Sequence, residues 1–239
     1  MNVPHRTPNI EHRDRIQRRV LLFVRAPELG GVKTRLGNKM DAATVLSLYR
    51  CFVQDIIETL TTGGHDMIVF FTPPHKRWAV QTWLGDTVLV QAQTGITLGD
   101  KMRNAFLNVF AGDVDQAVLI GSDLPDIDNR IIDESFESLK KKDSVIGPAE
   151  DGGYYLIGFR KNAFNTDVFS GIDWGTASVF RQTKAKIHAA GLNCHALPVW
   201  QDIDTHADLV AFYQRGKTNG RTHLKTMKLL DRLDLKGFQ

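Results

Sequence analysis

The chain has 239 residues, of which 42% are hydrophobic and 24% charged, and a formal net charge of +3 at pH 7. This length suits one large α/β domain better than two small ones, and the apolar runs fall well short of the ~20 residues that cross a bilayer. The excess positive charge lies in residues 1–19 and 215–239, and the segment between them is net acidic. This distribution argues against a nucleic-acid partner, which needs clustered basic residues on the folded body.

The predicted elements alternate between short apolar runs and segments of helical period. Strands are predicted over residues 19–24, 67–72, 87–91, 116–121, 144–147, 153–159 and 194–199, and helices over about 40–62, 75–84, 100–111, 128–141, 176–190 and 204–215. This alternation predicts an α/β fold of three layers, with a mainly parallel sheet between two helical layers. In such sheets a ligand lies beyond the carboxyl ends of the strands.

The termini and cysteines indicate the boundaries and the compartment. The polar N-terminus has no apolar segment of a secretory signal, so residues 1–17 are predicted to form a flexible basic tail. A single domain is expected over 18–216, followed by a C-terminal extension over 217–239 with a helix near 222–233. Cys51 and Cys194 lie far apart, which favours buried thiols in a reducing, cytoplasmic compartment over a disulfide or a zinc site.

The first predicted strand runs into the basic loop PELGGVKTRL. Gly30 and Gly31 allow the backbone N–H groups to approach an anion closely, and Lys33 and Arg35 supply positive charge. The loop is therefore predicted to bind the phosphates of a nucleotide.

Three acidic segments follow later strands, and they carry Asp123 (GSDLPD), Asp151 (PAEDGGYY) and Asp202 (WQDIDT). Carboxylates at strand ends can hold Mg²⁺ together with phosphate oxygens. Structural explanations compete with this one. Asp123 suits a turn or a helix cap, Gly152 suits a hairpin turn, and an N-cap is the preferred interpretation of Asp204.

Two further segments carry a weaker signal. Gly99 begins a predicted helix, where it either contacts a ligand or belongs to an ordinary cap. Trp174 either lines an acceptor pocket or packs in the core, and the same alternatives apply to Tyr154. The sequence has no Gly-x-Ser-x-Gly elbow, no Walker-type loop and no Rossmann fingerprint.

Taken together, the segments FVRAPELGGVKTRL, LGDKM, GSDLP, GPAEDGGYYLIG, IDWGT and DIDTHADL resemble the radical-SAM/selenodomain-associated transferase 1 family. This family belongs to the GT-A, or nucleotide-diphospho-sugar transferase, superfamily and is similar to the phospholactate/phosphoenolpyruvate guanylyltransferases. The resemblance covers about residues 18–210. It implies a GT-A fold, a nucleotide-binding first loop and a metal ion at the acid after the central strand.

Carried over by position, the resemblance implies that Lys33 and Arg35 hold phosphates. Asp123 is then the main ligand of Mg²⁺ or Mn²⁺, with Asp151 or Asp202 as a second. Residues 33, 35 and 123 form the predicted catalytic set. The other predicted nucleotide contacts are Arg25, Pro27, Gly30, Gly31, Gly99, Ser122, Gly152 and Gly153. Arg25 departs from the family pattern, because relatives commonly have Lys there.

Three functions remain open. The first is a metal-dependent nucleotidyltransferase that joins a nucleoside triphosphate to a small phosphorylated acceptor and releases pyrophosphate. The second is a glycosyltransferase with a nucleotide-diphospho-sugar donor, and the third is a nucleotide-binding protein without turnover. The basic loop favours the first, because glycosyltransferases of this fold usually rely on an Asp-x-Asp motif. The nucleotide base, the acceptor and the oligomeric state are not readable from the sequence.

Overall fold

The computed structural model of the protein describes residues 16–233. The predicted tail over 1–17, apart from its last two residues, lies outside the described residues, as do residues 234–239 of the predicted extension. The described strands are β1 (Arg18–Arg25), β2 (Met67–Thr72), β3 (Val90–Ala92), β4 (Gln116–Ile120), β5 (Ser144–Pro148), β6 (Tyr154–Arg160) and β7 (Cys194–Ala196). The described helices are α1 (Ala42–Thr62), α2 (Arg77–Leu84), α3 (Leu98–Phe110), α4 (Asn129–Ser138), α5 (Val179–Ala189), α6 (His206–Thr218) and α7 (Lys225–Arg232).

The seven strands form one sheet in the order β3-β2-β1-β4-β6-β5-β7. Strand β6 runs antiparallel to β4 and β5, and the other neighbouring pairs are parallel. The predicted α/β fold with a mainly parallel sheet is confirmed. Strand β7 ends at Ala196 and is shorter than predicted, and Pro198, which has no N–H to donate, lies two residues further on.

Helices cover both faces of the sheet, because the central strands are apolar on both sides. Residues 20–24 of β1 are all buried. Alternate residues of β1 belong to two different cores, one under α1, α2 and α4 and the other under α3 and α5. This is the predicted arrangement of three layers.

A third apolar cluster lies between α1 and the helices α6 and α7. Val45, Leu48 and Phe52 of α1 contribute to it, so α1 is buried on two sides. The start of α7 is capped by Asp55 of α1, which is 2% exposed. Its carboxylate accepts hydrogen bonds from the backbone N–H groups of Lys225 and Thr226 at 2.7 and 2.9 Å.

Within the described part of the chain, no helix combines the length and the apolar character that a membrane span requires.

Candidate functional site

A cavity of about 970 Å³ opens where β1, β2 and β4 end. Nine predicted site residues line it, and they come from the loop after β1, the segment after β4 and the turns after β5 and β7. These residues are Arg25, Gly31, Lys33, Arg35, Ser122, Asp123, Asp151, Gly153 and Asp202. The cavity therefore brings together predicted site residues that are up to 177 positions apart in the sequence, Arg25 and Asp202.

The order of the strands sets the layout of the cavity. Thr72 ends β2, Arg25 ends β1 and Asp123 follows β4. Neighbouring strands lie about 4.8 Å apart, so these positions are spread along the edge of the sheet. The basic loop after β1 lies in the middle, with the ends of β2 and β3 on one side. The acidic residues after β4, β5 and β7 lie on the other side.

The side chain of Lys33 reaches from the basic loop to the acidic residues and is only 6% exposed. Its Nζ lies 2.8 Å from Asp123 Oδ1 and 2.9 Å from Asp204 Oδ1, and it donates to the Ile203 carbonyl at 2.5 Å. Burial by itself lowers the pKa of Lys33, but the two carboxylates outweigh it, and the pKa lies above its usual value. Lys33 is therefore a charged ammonium bound within the protein.

Asp204 corrects the interpretation drawn from the sequence. The N-cap of α6 is Thr205, which forms a capping box with Asp208. The Asp204 carboxylate instead binds Lys33 and lies 3.4 Å from Arg35 Nη1. The sequence DIDT resembles the start of a helix. The partner of Asp204, Lys33, lies in a loop far away in the sequence, so no local pattern predicts this contact.

The three predicted metal ligands differ in their surroundings. Asp123 Oδ1 faces Lys33, and Asp151 Oδ1 accepts the Gly153 N–H at 2.7 Å in its own turn. Burial, followed by the charges of Asp151, Asp204 and Asp123, raises the pKa of Asp202 to about 6. Across residues 16–233, neither Asp151 nor Asp202 has an ion pair. This side of the cavity therefore carries uncompensated negative charge.

Four predicted nucleotide contacts, Pro27, Gly30, Gly99 and Gly152, are not among the residues that line the cavity. For two of them the structure supplies a packing reason. A Cβ on Gly99 would lie 2.8 Å from the ring of Trp174, and a Cβ on Gly152 would lie 2.2 Å from the Ala177 carbonyl oxygen. These two glycines allow close contact between the loop over 172–178 and the site.

Gln93 follows β3 and lines the cavity, and it is not among the residues predicted from the sequence. The side chain is 6% exposed, and its Nε2 donates to the carbonyls of Val24 and Phe70 at 3.3 and 2.9 Å. Since both partners only accept, the amide has one orientation, and Oε1 has no partner within residues 16–233. The signal available in the sequence was a Gln just beyond the end of the strand predicted over 87–91.

The opposite wall of the cavity is aromatic and apolar. Tyr154 and Trp174 line it and meet edge to face, with ring centroids 6.4 Å apart. Tyr154 Oη donates to Met102 Sδ at 3.6 Å, and burial raises the pKa of this phenol. Both aromatic residues line the cavity and also pack against the core under α3 and α5. The role of the cavity wall as an acceptor pocket stays a prediction.

A family model described as "Uncharacterized protein conserved in bacteria (DUF2064)" matches residues 56–176, which is about half of the chain. The chain belongs to this family. The DUF2064 protein is also 26% identical over 211 residues to the 2-phospho-L-lactate guanylyltransferase of Methanocella arvoryzae, a match that covers 86% of this chain and 85% of the relative.

Two solved structures extend the comparison. A crystal structure from Desulfovibrio desulfuricans G20, named for the nucleotide-diphospho-sugar transferases, is 39% identical to this chain with a TM-score of 0.87. The match covers 92% of this chain and 96% of the chain in that crystal structure. CMP:2-keto-3-deoxy-manno-octonic acid synthetase complexed with CTP is 11% identical with a TM-score of 0.56, at 85% and 99% coverage, and shares the fold. The DUF2064 protein is therefore a transferase with the GT-A-like fold of the nucleotide-diphospho-sugar transferases, as the resemblance implied.

The donor chemistry of the DUF2064 protein fits Mg²⁺ or Mn²⁺. Asp123, Asp151 and Asp202 offer carboxylate oxygens, which these cations prefer. Burial is the main cause of the raised pKa of Asp202, and the neighbouring carboxylates of Asp151, Asp204 and Asp123 raise it further. A cation would balance the negative charge of these carboxylates. Among residues 16–233, no three His, Cys, Asp or Glu side chains already converge on one point suited to a metal ion. Phosphate oxygens and water would complete such a site.

Proposed function

We propose that the DUF2064 protein is a metal-dependent nucleotidyltransferase. In this reaction a small phosphorylated acceptor attacks the α-phosphorus of a nucleoside triphosphate. The bond between the acceptor oxygen and the α-phosphorus forms, the bond from the α-phosphorus to the bridging oxygen breaks, and pyrophosphate leaves with that oxygen. The acceptor phosphate is already ionised near neutral pH, so the attacking oxygen needs no protein base.

One observation carries this proposal: a basic loop lies between a buried hydrogen-bond acceptor and a cluster of carboxylates in a single cavity. A nucleoside triphosphate has the same order, since its base, its phosphates and its bound cation follow one another. The free Oε1 of Gln93 suits an N–H donor on the base. The loop over 30–35 suits the phosphates.

Arg35 is the group best suited to grip the phosphates. Its side chain is 72% exposed, and its closest carboxylate contact is the 3.4 Å approach to Asp204. A guanidinium can give two parallel hydrogen bonds to phosphate oxygens. It would stabilise the charge that develops on the leaving pyrophosphate.

Asp123, Asp151 and Asp202 would hold the cation, Mg²⁺ or Mn²⁺. When bound, the cation neutralises phosphate charge and helps to orient the reacting groups. The carboxylates themselves keep this side of the cavity negative, which directs the triphosphate towards the basic loop. Positioning and electrostatics carry phosphoryl chemistry, so no covalent protein intermediate is required.

A glycosyltransferase is the second candidate, favoured by the 39% identity to a structure named for the nucleotide-diphospho-sugar transferases. The same cation and loop would then bind the diphosphate of a nucleotide-sugar. The basic loop, in which Arg35 is largely exposed beside the acids, supports the first candidate because a triphosphate carries more charge to neutralise.

Product analysis distinguishes the candidates. The protein is incubated with each nucleoside triphosphate, Mg²⁺ and a panel of phosphorylated and carboxylated acceptors, and pyrophosphate release is measured. Parallel reactions with nucleotide-sugars are assayed for nucleoside diphosphate. Nucleotidyl transfer predicts pyrophosphate only. Thermal stabilisation by nucleotide without turnover would instead indicate a binding protein.

A matched pair of variants tests the site. Asp123→Ala is expected to lower the pyrophosphate rate at least about 100-fold, because a cation ligand in the transition state is lost. Asp86→Ala makes the same change at an exposed position outside the cavity and is expected to leave the rate unchanged. Pyrophosphate release that persists in Asp123→Ala would refute the assignment of this carboxylate.

A further inference from the structure

The ammonium of Lys33 is saturated by the protein itself. A lysine ammonium has three donors, and Lys33 Nζ has three acceptors, the Ile203 carbonyl at 2.5 Å, Asp123 at 2.8 Å and Asp204 at 2.9 Å. The side chain is almost fully buried. A phosphate oxygen could bind this nitrogen only by displacing one of these partners.

The backbone of the loop is shaped to deliver this ammonium. Lys33 has φ +45°, and within residues 16–233 it is the only residue other than glycine with a positive φ. Side chains disfavour this conformation, so contacts elsewhere must hold it. The three contacts of Nζ do so on one side, and the Leu36 N–H, which donates to the Lys33 carbonyl at 3.0 Å, does so on the other.

The two cations of the KTRL segment therefore differ in availability. Lys33 is buried against carboxylates, whereas the Arg35 side chain is largely exposed and makes one long contact to Asp204. Arg35 is free to bind an incoming anion. Lys33 instead binds the carboxylates of Asp123 and Asp204.

We propose that Lys33 is a positioning residue whose ammonium takes the place of a second metal ion, orienting Asp123 and neutralising Asp204 so that the acidic cluster binds one divalent cation. This role depends on the proposed function in one respect, because the proposed function supplies the divalent cation that the acidic cluster binds. Oδ1 of Asp123 is occupied by Lys33, while Oδ2 has no partner within the described range and remains for the cation. Because Asp204 binds Lys33, it is not available as a ligand of the divalent cation.

Loss of the ammonium has a specific consequence. Asp123 and Asp204 both lie within 2.9 Å of the same nitrogen, so its removal leaves two carboxylates facing one small space. Two like charges this close favour a cation between them, and carboxylate oxygens are ligands for Mg²⁺ and Mn²⁺. Replacement of Lys33 by an uncharged side chain should therefore create a second cation site.

Counting bound Mn²⁺ tests this proposal without any turnover. The full chain is titrated with Mn²⁺ in the absence of nucleotide, and free Mn²⁺ is followed by electron paramagnetic resonance. Lys33→Met is expected to bind one Mn²⁺ more per chain than the unmodified protein, and the double variant K33M/D204N is expected to lose that extra ion. Lys39→Met makes the same change at an exposed position of the same loop and should leave the count unchanged. Equal counts in Lys33→Met and the unmodified protein would overturn the proposal.

Binding of inorganic tripolyphosphate without metal supplies a second readout. K33M/D204N removes one positive and one negative charge, so the net charge of the cluster is kept. This variant is expected to bind tripolyphosphate within about twofold of the unmodified protein, whereas Arg35→Met should bind at least about tenfold more weakly. Equal losses in both would identify Lys33 as a phosphate ligand and refute the proposal.

The two proposals fail separately. Unmodified protein that binds no Mn²⁺ would remove the metal from the proposed function, while the difference between it and Lys33→Met would still decide the role of Lys33. Circular dichroism checks that each variant is folded. If Lys33→Met does not fold, the charge-balanced double variant decides the question through tripolyphosphate.

Discussion

Replacing Gly152 with Ala perturbs the turn that carries Asp151. Gly152 has φ +87°, and an added Cβ would lie 2.2 Å from the Ala177 carbonyl oxygen. An ordinary contact is more than 1 Å longer, so one of the two loops must move. A positive φ costs alanine about 1 kcal/mol, and overpacking costs a further 1–3 kcal/mol, so the expected loss in the free energy of unfolding is about 3 kcal/mol.

Gly64 allows the cost of a positive φ to be measured apart from the cost of overpacking. Gly64 has φ +70°, but nothing lies within 4 Å of its added Cβ. Gly64→Ala is therefore expected to lose only about 1 kcal/mol. Urea unfolding followed by circular dichroism measures both variants. Mn²⁺ affinity is expected to fall in Gly152→Ala, because Asp151 shifts, and to stay unchanged in Gly64→Ala. Equal losses of stability in the two variants would refute the proposed contact with Ala177.

Three other predictions concern separate parts of the molecule. Gln93→Leu removes the fixed acceptor and should raise KM for the nucleoside triphosphate about 10- to 100-fold in the pyrophosphate assay; an unchanged KM contradicts a base contact. Asp55→Ala leaves buried donors of α7 unpaired and should lower the free energy of unfolding by about 3 kcal/mol. The exposed control Glu58→Gln should lower it by at most about 0.5 kcal/mol. Similar losses of both variants in chemical denaturation would contradict the role of Asp55 as the cap of α7. Hydrogen bonds from Arg130 lower the pKa of Asp128 below its usual 3.8, so this carboxylate stabilises the fold above that value and the stabilisation disappears as the pH falls through the lowered pKa. Asp128→Asn should therefore destabilise the protein at pH 7 and flatten its stability curve below about pH 4, and parallel melting curves would disprove this.

The layers of the fold were predictable because they follow from burial. Residues 20–24 of β1 are a continuous apolar run, which is typical of a strand covered on both faces. The apolar residues of α1 recur at helical spacing, and its Asp41 cap is a local feature. The order of the strands was not predictable in this way. The antiparallel direction of β6 depends on which neighbours it meets, and the apolar run over 153–159 suits either direction.

In the candidate site, too, some features follow from local patterns and others depend on contacts between distant segments. The basic loop and the acids at strand ends are local patterns, and the family resemblance drew on the same residues. Asp204 was misread because a carboxylate just before a helix matches a cap, whereas its real partner, Lys33, is 171 residues away. Gln93 was missed because its role depends on two carbonyls of neighbouring strands.

The amino-acid sequence is enough to predict the element types, the alternation that makes a layered sheet, and the chemical groups available at the strand ends. These properties depend on neighbours within a few residues, through periodicity, caps and turn chemistry. The pairing of these groups depends on the folded structure. Lys33 is held by carboxylates, Arg35 stays largely exposed with one 3.4 Å contact to Asp204, and the amide of Gln93 has one orientation. These outcomes depend on distances of a few ångströms between segments that meet only when the sheet has formed.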